Sequence, residues 1–192
     1  EPGAMSRMSS NMSSSFQRQG GFFSAMFRKM FGGENFFLGK YEHPDGGTLT
    51  FAPSIPGAVE HYNLSNNHLN IMAGCFLACT PGVNIKAKFG GLKALFSGEG
   101  AFLLEASGNG DLFFNSFGGI IEKEINGEFI VDTGHVVAFE PTLNYKISGM
   151  GNWKSTMLSG EGLVMTFNGN GKIYLQTRTV DGIASWLTPR LI

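Results

Sequence analysis

The chain has 192 residues, 42% of them hydrophobic and only 15% charged, with a net charge of −1. That balance leaves no global electrostatic footprint for nucleic acid, and no window approaches the roughly 18 consecutive apolar residues of a membrane-spanning helix. With 28 glycines, 7 prolines and 18 phenylalanines, the composition predicts short strands joined by tight turns, with aromatic side chains filling cores and interfaces.

The opening Glu1-Pro2-Gly3-Ala4-Met5 is neither a signal peptide nor an initiation site, and it reads as a chain entered partway. The serine-rich stretch from Ser9 to Gln19 is expected to be a loop. Phe22, Phe23, Met26, Phe27, Met30 and Phe31 then fall at helical spacing, with Arg28 and Lys29 on the opposite side. This amphipathic segment could pack internally, or lie against a partner or a membrane surface.

A marker follows that recurs twice. Phe31-Gly32-Gly33-Glu34-Asn35-Phe36-Phe37 returns as Phe96-Ser97-Gly98-Glu99-Gly100-Ala101-Phe102, and again as Leu158-Ser159-Gly160-Glu161-Gly162-Leu163-Val164. Each copy leads to an apolar run, a glycine-bearing turn (Gly46-Gly47, Gly108-Asn109-Gly110, Gly169-Asn170-Gly171) and a second apolar run. A further glycine, Gly57, Gly119 or Gly182, introduces another short segment. The other half repeats as well: Gly74 to Pro81 aligns with Gly134 to Pro141, and Asn84 and Lys86 align with Asn144 and Lys146.

Self-similarity at this period predicts tandem copies of one unit, each too small to hold a core alone and therefore packed on its neighbours. The copies are expected over residues 1–63, 64–126 and 127–192. The runs flanking Asn109-Gly110 and Asn170-Gly171 carry the Asn-Gly signal of a two-stranded hairpin. Asn84 to Lys88 alternates polar and apolar residues as a half-buried strand does. The stretches ending at Phe31, Phe96 and Leu158 suggest one or two helical turns. The fold expected is all-β, with three tandem repeats, short helical connectors and pseudo-threefold arrangement.

Several candidate sites stand out. Glu34, Glu99 and Glu161 could form a ring of carboxylates for a cation or basic ligand, but an acceptor held by backbone N–H groups at a glycine turn explains their recurrence more simply. Lys86, Lys88 and Lys146 could build a basic track for RNA phosphates; the same lysines also suit the solvated face of an edge strand. Cys75 and Cys79, four apart on a strand, would lie about 13 Å from one another, beyond the reach of a disulfide or a shared metal. They are expected to be buried thiols. His43, His61, His68 and His135 show no zinc-ligand spacing, and no nucleophile elbow or nucleotide loop occurs. No catalytic residue, metal or cofactor is expected.

The stretch Gly160 to Val164 through Tyr174-Leu175-Gln176-Thr177-Arg178, together with Asp132 to Ala138, resembles the altered-inheritance-of-mitochondria-24 family over nearly the whole chain. The resemblance implies a fold similar to the tryptophan RNA-binding attenuation protein, a short double-stranded β-helix or β-sandwich unit, present three times per chain. It implies trimers, and so rings of nine units. Bacterial members are widespread and largely uncharacterised. The fungal member is mitochondrial and associated with inner-membrane organisation. The expected location is accordingly cytoplasmic in a bacterium and mitochondrial in a eukaryote. No residue matches the attenuation protein's tryptophan or RNA contacts, so none is carried over. The expected function is a non-enzymatic homo-oligomeric scaffold or interaction module, with protein partners and peripheral membrane contact open. A small-ligand- or RNA-binding module is the alternative.

Overall fold

The structure, a computed structural model, describes residues 1, 3–18, 37–89, 102–149 and 163–191. The amphipathic segment 22–31 and the glutamates Glu34, Glu99 and Glu161 lie outside the described residues, as do the helical turns expected before each glutamate. The described chain is mostly β and divides into two compact units, Glu1–Ser54 and Ile55–Ile192.

The first unit holds two antiparallel pairs. β1 (Met5–Met8) pairs with β4 (Leu49–Phe51), and β2 (Ser13–Arg18) pairs with β3 (Phe37–Glu42).

The second unit is built on four long strands: β5 (Val59–Met72), β8 (Phe102–Asn115), β9 (Ile120–Asp132) and β12 (Leu163–Gln176). β5 pairs with β8, and β9 with β12, along nearly their whole lengths. The second edge of each receiving strand is shared by two short ones. β8 takes β6 (Phe76–Cys79) and β7 (Val83–Phe89), while β12 takes β10 (Val136–Phe139) and β11 (Asn144–Gly149). β10 also pairs with β5, joining the two sets into one eight-stranded sheet. All four residues of β10 are buried, so both of its faces are covered as well as both edges.

The Asn-Gly hairpins expected from sequence are not formed. Residues 102–115 and 163–176 each run as one strand through their glycines. The local signal was misleading because the long partners, β5 and β9, capture the backbone on both sides of the Gly-Asn-Gly triplet. The glycines meet a different demand, close backbone approach. A Cβ on Gly108 would sit 2.4 Å from the Gly82 carbonyl oxygen, and one on Gly169 would sit 2.8 Å from the Thr142 carbonyl oxygen. Gly108 and Gly169 hold φ of +114° and +133°, values that side-chain-bearing residues rarely adopt.

The same small hydrogen-bonded latch closes three places among the described residues. Thr80 N donates to Asp111 O at 2.9 Å, Asp111 N returns to Thr80 Oγ1 at 2.8 Å, and Val83 N caps Thr80 O at 3.1 Å. Glu140, Lys172 and Leu143 repeat these bonds, with Glu140 Oε2 in place of the hydroxyl. In the first unit Ser9, Thr48 and Met12 do so again, with Ser9 Oγ as acceptor. Serine, threonine and glutamate differ in length, but each presents the side-chain oxygen that the bent strand's N–H requires.

Register carries the correspondence further. The pairing Val59↔Asn115 recurs 61 residues later as Ile120↔Gln176. β5 carries one extra residue, Asn66, at φ 53°. This bulge is held by Asn66 N and Oδ1 bonding the Asn109 side chain at 2.9 and 2.7 Å. β5 and β9 run unbroken through residues 63–64 and 126–127.

The core is apolar and aromatic, as the phenylalanine content led one to expect. Phe139, Phe167, Leu103, Met165 and Ile173 are fully buried. Phe139 packs edge-on to Phe167 and Tyr145 at 5.0 and 5.2 Å between ring centroids. The chain ends in α1 (Val180–Leu187), which begins where another long strand would by register. Gly182 therefore lies inside a helix, whereas Gly57 and Gly119 precede strands.

Candidate functional site

β7 places Ile85 in the core and exposes Lys86 and Lys88 on the other face, as the alternation predicted. Lys146 is exposed on β11 at the corresponding register. The three lysines do not form an unopposed basic track, because Lys88 is ion-paired to Glu105 and Lys86 lies across from that same glutamate. Glu105 is held below the usual carboxylate range, first by the Lys88 hydrogen bond and then, against the effect of burial, by the charges of Lys88, His68 and Lys86.

β9 supplies the opposite charge. Glu122, Glu124 and Glu128 recur on alternate residues and are exposed, so they share one face of the strand. Glu122 bonds Lys172 Nζ at 2.7 Å. Lys172 in turn gives its backbone N–H to Glu140. An open groove of about 350 Å³ lies here, lined by Glu124, Asn126, Glu140, Asn170 and Lys172. Tyr174, across the ladder from Glu122, meets Tyr62 edge-on, with 6.4 Å between centroids. Burial, then the Glu122 charge, raises the Tyr174 phenol well above its ordinary value, and burial and Glu140 raise Tyr62 as well. Both phenols remain neutral hydrogen-bonding groups through the physiological range.

The other polar cluster is built around His61. Its Nε2 lies 2.8 Å from Asp111 Oδ1, which also accepts from Asn63 Nδ2 at 3.2 Å, and the imidazole stacks on Phe113 at 5.0 Å. A His–Asp pair is the beginning of an acid–base dyad, but register identifies what it does here. Sixty-one residues on, the same two positions hold Glu122 and Lys172, with the acidic residue now on the other strand and the side chains still bonded. A geometry that survives this exchange of partners is a cross-strand polar pair tying two strands together. Asp111 is nonetheless held low, by hydrogen bonds from His61 and Asn63.

His43 sits in its turn, with Nδ1 accepting from Asp45 N at 3.2 Å. His135 donates from Nδ1 to Gln176 O at 2.7 Å. It closes a 3₁₀ turn, Thr133–His135, that matches Ala73–Cys75. Cys75 is thus in a turn, not on the strand expected from sequence, while Cys79 ends β6; the two are not joined by a disulfide. Among the described residues no set of three His, Cys, Asp or Glu side chains is arranged to hold a metal. The sequence reading missed Glu122, Glu140, Lys172 and Tyr174. The alternating glutamates of β9 were the available signal, but only the pairing shows that they meet a lysine from a strand 50 residues away.

The profile of the family described as Mitochondrial biogenesis AIM24 matches residues 1–178. An uncharacterized protein of Streptococcus pyogenes serotype M6 is 32% identical over 166 residues, covering 85% of this chain and 67% of that protein. A crystal structure of another Streptococcus pyogenes protein superimposes with a TM-score of 0.82 at 28% identity, over 98% of this chain and 86% of that one.

Proposed function

This chain belongs to the Mitochondrial biogenesis AIM24 family, and from that premise we propose that it is a non-enzymatic homo-oligomeric β-ring serving as a scaffold or interaction module. The single observation that carries the proposal is the latch repeated at Ser9/Thr48, Thr80/Asp111 and Glu140/Lys172. It supports three tandem copies of one unit, a pseudo-threefold chain suited to closing rings with other copies. Exposed Ile121 and Ile130 on β9 and Val59 on β5 supply apolar surface for such contacts. The His61–Asp111 pair, answered by Lys172–Glu122, favours a structural over a catalytic use of the charged groups.

A trimer is the expected assembly. Native mass spectrometry of protein purified gently from its own cells tests this. A bare trimer supports the scaffold, and a monomer at micromolar concentration overturns it. A stoichiometric extra mass would instead favour a small-ligand- or RNA-binding module. The pairing of Lys88 with Glu105 gives the RNA alternative little support.

A further inference from the structure

The last helix turns an apolar face to solvent. Thr179 caps α1, its Oγ1 accepting from Gly182 N at 3.1 Å. At 3.6 residues per turn Val180, Ile183, Trp186 and Leu187 fall on one side, with Leu191 just beyond the helix. A surface helix normally lays such a stripe on its own core. Here no residue of α1 is buried: Val180 is 53% exposed, Trp186 55% and Leu191 73%. Beside the stripe lies a groove of about 340 Å³ between Phe117, His135, Arg178 and the helix's own Ile183 and Trp186.

We propose that this face seats a second copy of the same chain, the α1 stripe of each copy covering the stripe and groove of the other. Projecting apolar side chains and a recess to receive them lie on one surface, which is what a self-complementary twofold contact requires. The area also fits. The exposed parts of the five side chains amount to about 450 Å² of apolar surface, a patch as large as a typical monomer shows. Since interfaces are roughly 60% apolar, such a patch implies about 750 Å² per partner, close to the standard size for a stable complex. Charge argues against a lipid surface as the occupant. Helices that lie on membranes carry many Lys and Arg on their polar face. From Val180 to Leu191 there is one, Arg190, and its guanidinium is stacked 4.4 Å over the Trp186 ring.

The proposal rests on self-association of the chain and adds to the proposed trimer a twofold contact that joins two trimers, since a twofold contact cannot itself close a ring of three. Sedimentation velocity on the full chain, wild type against Ile183→Asp/Trp186→Ser, is the test, with circular dichroism and thermal melting alongside. Both side chains are exposed, so the variant should fold and melt as the wild type does. The expected result is association weakened about 30-fold or more, the effect of removing a central interface anchor. An associating variant indistinguishable from wild type would overturn the α1 contact while leaving self-association intact. A monomeric wild type would overturn both. Wild-type binding to phosphatidylcholine–phosphatidylglycerol vesicles, lost in the variant with association unchanged, would assign the face to lipid and refute the contact between copies.

Discussion

Replacing Asn115 with leucine should make the protein more stable. The side chain is 1% exposed, between fully buried Phe114 and Ser116. Neither Nδ2 nor Oδ1 has a hydrogen-bond partner among the described residues. Register explains why. The matching residue 61 positions later, Gln176, accepts from Phe117 N at 2.8 Å and donates to Gly134 O at 2.6 Å. At Asn115 the residue in the place of Phe117 is Pro56, which has no N–H to give. Asparagine is also one methylene shorter than glutamine, which draws its amide back from Gly74, the match of Gly134. A buried polar group left without a partner costs about 1–3 kcal/mol. Leucine has the same branched heavy-atom skeleton and no polar group to satisfy, but its methyls are bulkier than the amide, and crowding in this tightly buried site takes back part of the benefit. The expected gain is about 1 kcal/mol, or roughly 3 °C in melting temperature for a unit of this size. Urea unfolding should show a higher midpoint at unchanged slope. A midpoint equal to or below wild type would refute the reasoning, because it would mean that both ends of the amide are bonded in solution. Asn115→Gln should recover part of the gain by reaching toward Gly74.

Other substitutions probe the remaining contacts. Gly57→Ala would place a Cβ 1.8 Å from the Ser116 carbonyl oxygen in rigid backbone; a loss of about 3 kcal/mol or more in urea unfolding is expected, and a change below 1 kcal/mol would show that the strand end yields. Glu105 has its carboxyl lowered by the Lys88 hydrogen bond. Its contribution is therefore complete above the unfolded glutamate value of about 4.3 and is lost as pH falls through the lower folded value. Glu105→Gln should flatten the acid limb of melting temperature against pH, and an unchanged limb would count against the pair. Tyr174 is raised in the folded state, chiefly by burial. Its neutral phenol favours folding below the unfolded value of about 10, and that contribution is lost as pH rises beyond it. Tyr174→Phe should therefore lessen the alkaline fall in stability, and equal slopes above pH 10 for the two proteins would contradict this.

Composition and alternation were legible in the residues themselves. The glycine triplets, the Gly74–Pro81 and Gly134–Pro141 match and the Asn84–Lys88 alternation reflect short-range demands: close backbone approach, a tight turn, a half-buried strand. Such demands select residue types locally, so they can be read locally. Partner choice could not be read in that way. Asn-Gly tolerates a reversal as well as a bend, and only the long partners β5 and β9, with register along their whole length, decide for the bend. The Glu122–Lys172 bond, the use of Glu140 as a latch and the orphaned amide of Asn115 all depend on residues tens of positions apart. The outward face of α1 belongs with them. The sequence analysis did not single it out, and whether such a stripe meets a core or solvent is settled by what the rest of the chain places beneath it.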